Sequence, residues 1–191
     1  MSIDLNLPNK LTILRIILTP IFLFLFIADF IPYNHLFALI IFCVAAITDL
    51  ADGKIARKLN IVTNFGKIAD PIADKILTTV VLLCFMQLDL CSIWVLLIIL
   101  LREFTVSAIR IAAASQGTVI PANIYGKVKT VFQMVVSIFV LLLLSVQDFI
   151  SSGIPYMEIF VPVMMWMLAL VTIFSGYVYV KDSLKVIDFK L

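Results

Sequence analysis

The sequence predicts an all-α integral membrane protein of six transmembrane helices, and three observations predict it. The 191 residues are 63% hydrophobic and only 14% charged, with a mean hydropathy of +1.18. Soluble domains run nearer half apolar and a quarter charged. The apolar residues gather into runs separated by Asp, Asn, Pro and Gly, and at about 20 residues per span the chain has room for roughly six. No stretch alternates polar and apolar residues as a barrel strand does.

The elements follow in chain order. Ile3, Leu5 and Leu7 lie between polar residues and suit a short interfacial helix before Pro8 opens the first span. No cleavable signal is expected, because the apolar run that follows is too long for one. Span one covers roughly residues 9–28, with Arg15 and Pro20 inside it. Span two covers about 36–58, and span three starts after Asn64 and ends near Gln87. Span four runs from about 92 to 115, span five from 124 to 146 and span six from 155 to 181. The whole of 1–191 reads as one membrane domain. The phenylalanine-rich run from Phe22 to Phe30 reads as lipid contact. Trp94, Trp166, Tyr156, Tyr177 and Tyr179 read as an interfacial belt. Cys43, Cys84 and Cys91 have no metal-like spacing and read as small apolar residues. The single histidine, His35, reads as a solvated loop residue.

Charge placement sets the orientation. With six spans, both termini and the 54–75 and 102–129 regions share one side, and that side holds all 14 lysines and arginines. The opposite loops carry Asp29, His35, Asp89, Asp148 and Glu158 and no lysine or arginine. The positive-inside rule then puts that basic side, with both termini, in the cytoplasm of a multi-pass protein of the cell membrane. A net charge of +2 gives no reason to expect a nucleic-acid partner.

One segment breaks the apolar pattern. Asp49, Asp52, Asp70 and Asp74 fall at the end of span two and the start of span three. Residues three or four apart share a helix face, so Asp49, Asp52, Gly53 and Ala56 form one stripe, and Gly66, Asp70 and Asp74 another. Ionisable residues at membrane depth are costly and point to function. Four converging carboxylates cannot all stay charged without compensation. They can be protonated as a relay, pair with Arg57, Lys67 or Lys75, or hold divalent cations. Oxygen-only ligation favours Mg²⁺ or Mn²⁺ over zinc, and two metals on shared carboxylates suit phosphoryl chemistry.

The pattern Asp49-x-x-Asp52-Gly53-x-x-Ala56-Arg57, then eight residues, then Gly66-x-x-x-Asp70-x-x-x-Asp74 resembles the signature of the CDP-alcohol phosphotransferases at every defined position. The resemblance implies that the four aspartates bind two metal ions, with Asp74 also the general base for an acceptor hydroxyl. It implies further that Gly53, Ala56, Arg57 and Gly66 line the cytidine diphosphate site together with Asp49 and Asp52. It extends, less specifically, to Asn9 and Thr12. A homodimer is expected on the same ground.

Three further stretches resemble the bacterial phosphatidylglycerophosphate synthases within that family. These are Asn6 to Arg15 with Pro20, Arg102-Glu103 through Ser107 to Arg110, and Gly126-Lys127-Val128-Lys129-Thr130 with Gln133. This likeness implies CDP-diacylglycerol and sn-glycerol 3-phosphate as substrates, with phosphatidylglycerophosphate and CMP as products. The residues point the same way. Arg102 and Arg110 are about 80° apart around a helix and can lean to one side of it. Together with Lys127 and Lys129, which begin span five, they suit an acceptor that carries its own phosphate. Snorkelling to anionic headgroups is the other use of such cations, and it suits Lys58, Lys181, Lys185 and Lys190. Two alternatives stand beside this reading. One is a sibling enzyme with another acceptor, of the cardiolipin, phosphatidylserine or phosphatidylinositol-phosphate type. The other is a divalent-cation or proton transporter using the acids as a relay.

Overall fold

The computed structural model describes residues 7–59, 64–116, 123–150 and 154–184, with the side chains of 7–10, 49–72 and 74 outside the description. Among the described residues the chain forms six α-helices and no strand: α1 (Leu7–Ile27), α2 (Asn34–Leu59), α3 (Asn64–Gln87), α4 (Ile93–Ser115), α5 (Ile124–Phe149) and α6 (Met157–Ser183). The expected interfacial segment falls on residues outside the described ones, apart from Leu7 and the three residues after it at the start of α1. Boundaries lie close to the expected ones because the punctuating residues act locally. Ser92 accepts the Trp94 N–H at 3.4 Å and caps α4. Asn123 Oδ1 accepts the Gly126 N–H at 2.8 Å and caps α5. Tyr33, Asp89 and Tyr156 take positive φ angles in the turns ahead of α2, α4 and α6.

Apolar side chains cover the surface as well as the core, and several polar ones are buried. Lys129, Gln133, Ser137, Ser145, Thr172 and Ser175 are buried, while Phe104, Ile111, Val131, Ile159, Leu170 and Phe174 are more than half exposed. Water would penalise such an apolar surface, and lipid does not. Buried hydroxyls are satisfied inside their own helices, as hydrocarbon surroundings demand: Thr19 donates to Arg15 O, Ser145 to Leu141 O and Thr172 to Leu168 O. Both α5 and α6 are long and apolar enough to cross a membrane. The apolar parts of α1, α2 and α3 within the described residues are shorter, and α4 carries Arg102, Glu103 and Arg110 in 23 residues.

The chain packs as two units. The first comprises Met1–Cys84 with Ile138–Pro155. Here α1 lies along α2, with Phe22 and Phe42 fully buried and their ring centroids 6.1 Å apart. Ala38, Ala45 and Ala46 keep the contact close. Phe22 and Phe26 are therefore core, and within the run expected to touch lipid it is Leu23, Phe24, Ile27 and Phe30 that are exposed. His35 also departs from expectation. It lies in the first turn of α2, its Nδ1 is 2.8 Å from Asp148 Oδ1, and its backbone N–H donates to Asp148 Oδ2. Phe26 meets its ring edge-on and Tyr33 stacks on Phe149 at 4.4 Å. This latch ties the α1–α2 turn to the end of α5. Removing its carboxylate by Asp148→Ala should cost about 1 kcal/mol, read as a melting temperature lower by about 2–4 °C with substrate affinities unchanged.

The second unit comprises Phe85–Ser137 with Tyr156–Leu191. There α4 lies along α6 over a core that includes Val95, Ile99, Val106, Val161, Met165 and Leu168. Cys84 and Cys91 are buried, as small apolar residues would be, and burial pushes the Cys91 thiol, in the α3–α4 turn, up to about 11.

Candidate functional site

The two acid pairs fall on continuous helix. Asp49 and Asp52 lie in the last turns of α2, and Asp70 and Asp74 in the opening turns of α3. Both helical stretches belong to the first unit. The buried stripe of α2 runs through Ala38, Phe42 and Ala45, and its register continues to Asp49, Asp52 and Ala56. On α3 the buried residues Ala73, Leu77 and Val81 share a register with Asp70 and Asp74. The side chains of the four acids, and those of Gly53, Ala56, Arg57, Gly66 and Asn9, lie outside the described residues. Thr12 is described and fully buried in α1, one turn from Arg15, which is equally buried.

This donor set fits hard divalent cations. It is all carboxylate, and no other group of three or more His, Cys, Asp or Glu residues occurs among the described residues. Among the described residues His35 is paired with Asp148, and Cys84 is buried. Oxygen-only ligation selects Mg²⁺-like or Mn²⁺-like ions.

The second unit holds a polar cluster where the end of α4, the start of α5 and the end of α6 meet. Arg102 of α4 donates from Nη1 to Glu103 Oε1 at 2.9 Å and from Nη2 to Ser175 Oγ of α6 at 3.0 Å. Lys129 of α5 donates to the same Glu103 oxygen at 2.6 Å and to Gln133 Oε1 at 2.5 Å. One carboxylate thus bridges two cations, and the side chains of Arg102 and Lys129 are only 10% and 2% exposed. Such burial is tolerable because each charge has a partner. Arg110 reaches Tyr179 instead: its Nε donates to the phenol oxygen at 3.2 Å and its guanidinium stands 5.6 Å from the ring centre. Tyr179 is 2% exposed, so it is a core partner of Arg110 and no member of an interfacial belt. Lys127 and Arg110 are exposed.

Two buried donors in this cluster have no hydrogen-bond partner among the described residues, Arg102 Nε and Asn123 Nδ2. Both side chains reach Gly126 in the first turn of α5 through other atoms. A Cβ built there would lie 3.1 Å from Arg102 Nη2 and 3.6 Å from Asn123 Oδ1. A helix N-terminus, a paired but unsaturated guanidinium and an unpaired amide N–H form a local preference for an oxyanion. The sequence singles out Arg102, Arg110, Lys127 and Lys129 as basic residues of this pocket. It does not single out Ser175 or Tyr179, whose partners lie far along the chain, nor Asn123.

Residues 5–176 match the family model of the CDP-alcohol phosphatidyltransferases. The chain belongs to that family. A CDP-diacylglycerol–glycerol-3-phosphate 3-phosphatidyltransferase of Bacillus subtilis is 40% identical over 185 residues, which is 91% of this chain and 93% of the relative. One of the same name from Rickettsia felis is 42% identical over 185 residues, covering 97% of this chain and 99% of the relative. A third, from Wigglesworthia glossinidia brevipalpis, is 37% identical over 145 residues, covering 72% and 77%. CDP-alcohol phosphatidyltransferases use divalent metals, in keeping with the acid stripes of α2 and α3.

Proposed function

We propose that this chain is a membrane phosphatidyltransferase that moves the phosphatidyl group of CDP-diacylglycerol to the primary hydroxyl of sn-glycerol 3-phosphate, giving phosphatidylglycerophosphate and CMP. The observation that carries the reading is the likeness, along nearly the whole chain, to relatives that bear the name of that activity, at 40% and 42% identity. The polar cluster of α4, α5 and α6 supports it, because a buried guanidinium with a spare N–H suits an acceptor that brings its own phosphate. The domain is taken as 1–191, with six spans and both termini cytoplasmic. The bias of all 14 basic residues to one side supports that orientation. It puts the reaction at the cytoplasmic face of the cell membrane, where the diacyl tail stays in lipid while the nucleotide is in water. A homodimer is proposed from the family resemblance alone.

In this mechanism Asp49, Asp52, Asp70 and Asp74 would hold two Mg²⁺ or Mn²⁺ ions. Bound there, the ions would offset the pyrophosphate charge and stabilise the departing CMP. Gly53 and Gly66 leave room for the nucleotide, Ala56 lines it, and Arg57 can fork onto a phosphate. Asn9 and Thr12 complete the cytidine side. The acceptor hydroxyl is a poor nucleophile until a carboxylate takes its proton, and Asp74 is that base. The hydroxyl oxygen then bonds to the lipid-side phosphorus, the bond from that phosphorus to the bridging oxygen breaks, and CMP leaves with the bonding pair. Arg102, Arg110 and Lys127 hold the acceptor's own phosphate, with Lys129 buried behind them.

CMP release from the purified chain tests this directly. With CDP-diacylglycerol and Mg²⁺ or Mn²⁺ present, sn-glycerol 3-phosphate should stimulate release far more than serine, inositol phosphate or phosphatidylglycerol. Stronger stimulation by one of those three would reassign the acceptor.

A further inference from the structure

The Arg102 side chain is held along its whole length by four neighbours from three helices, which is more than an electrostatic contact to a phosphate needs. Gly176 of α6 lies under its stem, where a Cβ would come within 3.0 Å of Arg102 Cγ, and Gly126 of α5 lies beside its head. Ser175 takes one N–H and Glu103 another. The Glu103 oxygen that binds Arg102 also binds Lys129. What this clamp leaves over is Nε, buried and without a partner among the described residues. A buried donor left unmade is costly, so the clamp is arranged for an acceptor that arrives with the ligand.

We propose that Glu103 is the positioning residue of the acceptor-phosphate pocket: by tying Arg102 to Lys129 it fixes the guanidinium so that Nε faces an incoming phosphate oxygen, with Gly126 and Gly176 providing the slot. The proposal rests on the acceptor reading given above. Glu103 itself does not touch the phosphate, whose charge would repel it. Its carboxylate offsets part of the charge of the two buried cations that it bridges. Arg110, exposed and steadied by Tyr179, and exposed Lys127 capture the phosphate, and Arg102 fixes its position.

The role is read from how substrate constants split in steady-state kinetics at fixed Mg²⁺. For Glu103→Gln, KM for sn-glycerol 3-phosphate should rise at least tenfold while KM for CDP-diacylglycerol stays within about twofold. Glu103→Asp, with the carboxylate kept, should recover part of the loss. Because Glu103→Gln takes one carboxylate partner away from buried Lys129, Glu103→Gln with Lys129→Met is the second variant. It should melt near the parent temperature and still show the raised acceptor KM. An acceptor KM within twofold of the parent in the double variant overturns the proposal. So does equal loss toward both substrates that follows the melting temperature, which is the behaviour of a purely structural residue. Failure of the acceptor reading looks different, since the parent chain itself would then ignore sn-glycerol 3-phosphate. If the parent responds only to an uncharged acceptor, the positioning role falls with it.

Discussion

An Asp74→Asn chain should turn over about a thousandfold more slowly than its parent and still bind CDP-diacylglycerol. General-base assistance contributes roughly 10²–10⁴ to rate, and an amide has no basic oxygen with which to take the proton of the acceptor hydroxyl. It does keep a carbonyl oxygen at nearly the same place, so cations that Asp49, Asp52 and Asp70 would hold lose one ligand charge and keep an oxygen ligand. The local backbone should tolerate the change. Residue 74 lies inside α3, one position beyond fully buried Ala73, and asparagine is nearly the size of aspartate. The measurement pairs single-turnover CMP formation with equilibrium binding of a CDP-lipid. A rate within tenfold of the parent removes Asp74 from the role of base. Loss of donor binding in parallel with rate would instead make it a ligand alone.

Chelation should have the second large effect. EDTA should bring CMP release to background, and Mg²⁺ or Mn²⁺ should restore it, because four carboxylates without histidine or thiolate match hard ions. The same titration has a readout that does not depend on turnover. An ion that binds the folded chain and not the unfolded one stabilises it by about 2.7 kcal/mol at a hundredfold excess over Kd, so the melting temperature should climb with added metal. In an Asp49→Asn, Asp52→Asn chain that climb should vanish along with activity. A chain that melts identically with and without metal, and works in EDTA, would argue for the carboxylates as a proton relay.

Helices were legible in the sequence almost to the residue, because their ends are written in local chemistry. Asn64 and Gln87 bound α3 where expected, and Ser92 and Asn123 cap α4 and α5 with their own side chains. What stayed hidden was which apolar side of a helix faces lipid. Lipid and protein core are equally apolar, so periodicity separates them poorly. This is why Phe22 and Phe26 read as lipid contacts and proved to be core, and why Tyr179 read as belt. The long-range polar pairs were hidden for a different reason. His35 with Asp148, Arg102 with Ser175 and Arg110 with Tyr179 join distant parts of the chain, and one sequence carries no record of which helices meet. Within the candidate site, the acids announced themselves as charges in an apolar chain. Glu103 was visible only as a neighbour of Arg102, and its second bond, to Lys129, needed the fold.

In the proposed reaction one chain joins a CDP-linked lipid to a phosphorylated three-carbon alcohol. The most direct measurement follows isotope-labelled sn-glycerol 3-phosphate through the purified chain, with CDP-diacylglycerol and Mg²⁺, counting label in the lipid fraction against CMP in water. One labelled phosphatidylglycerophosphate should form for each CMP, with the acceptor's own phosphate still attached. CMP formed with no label in lipid, or label entering lipid without CMP, would contradict that reaction.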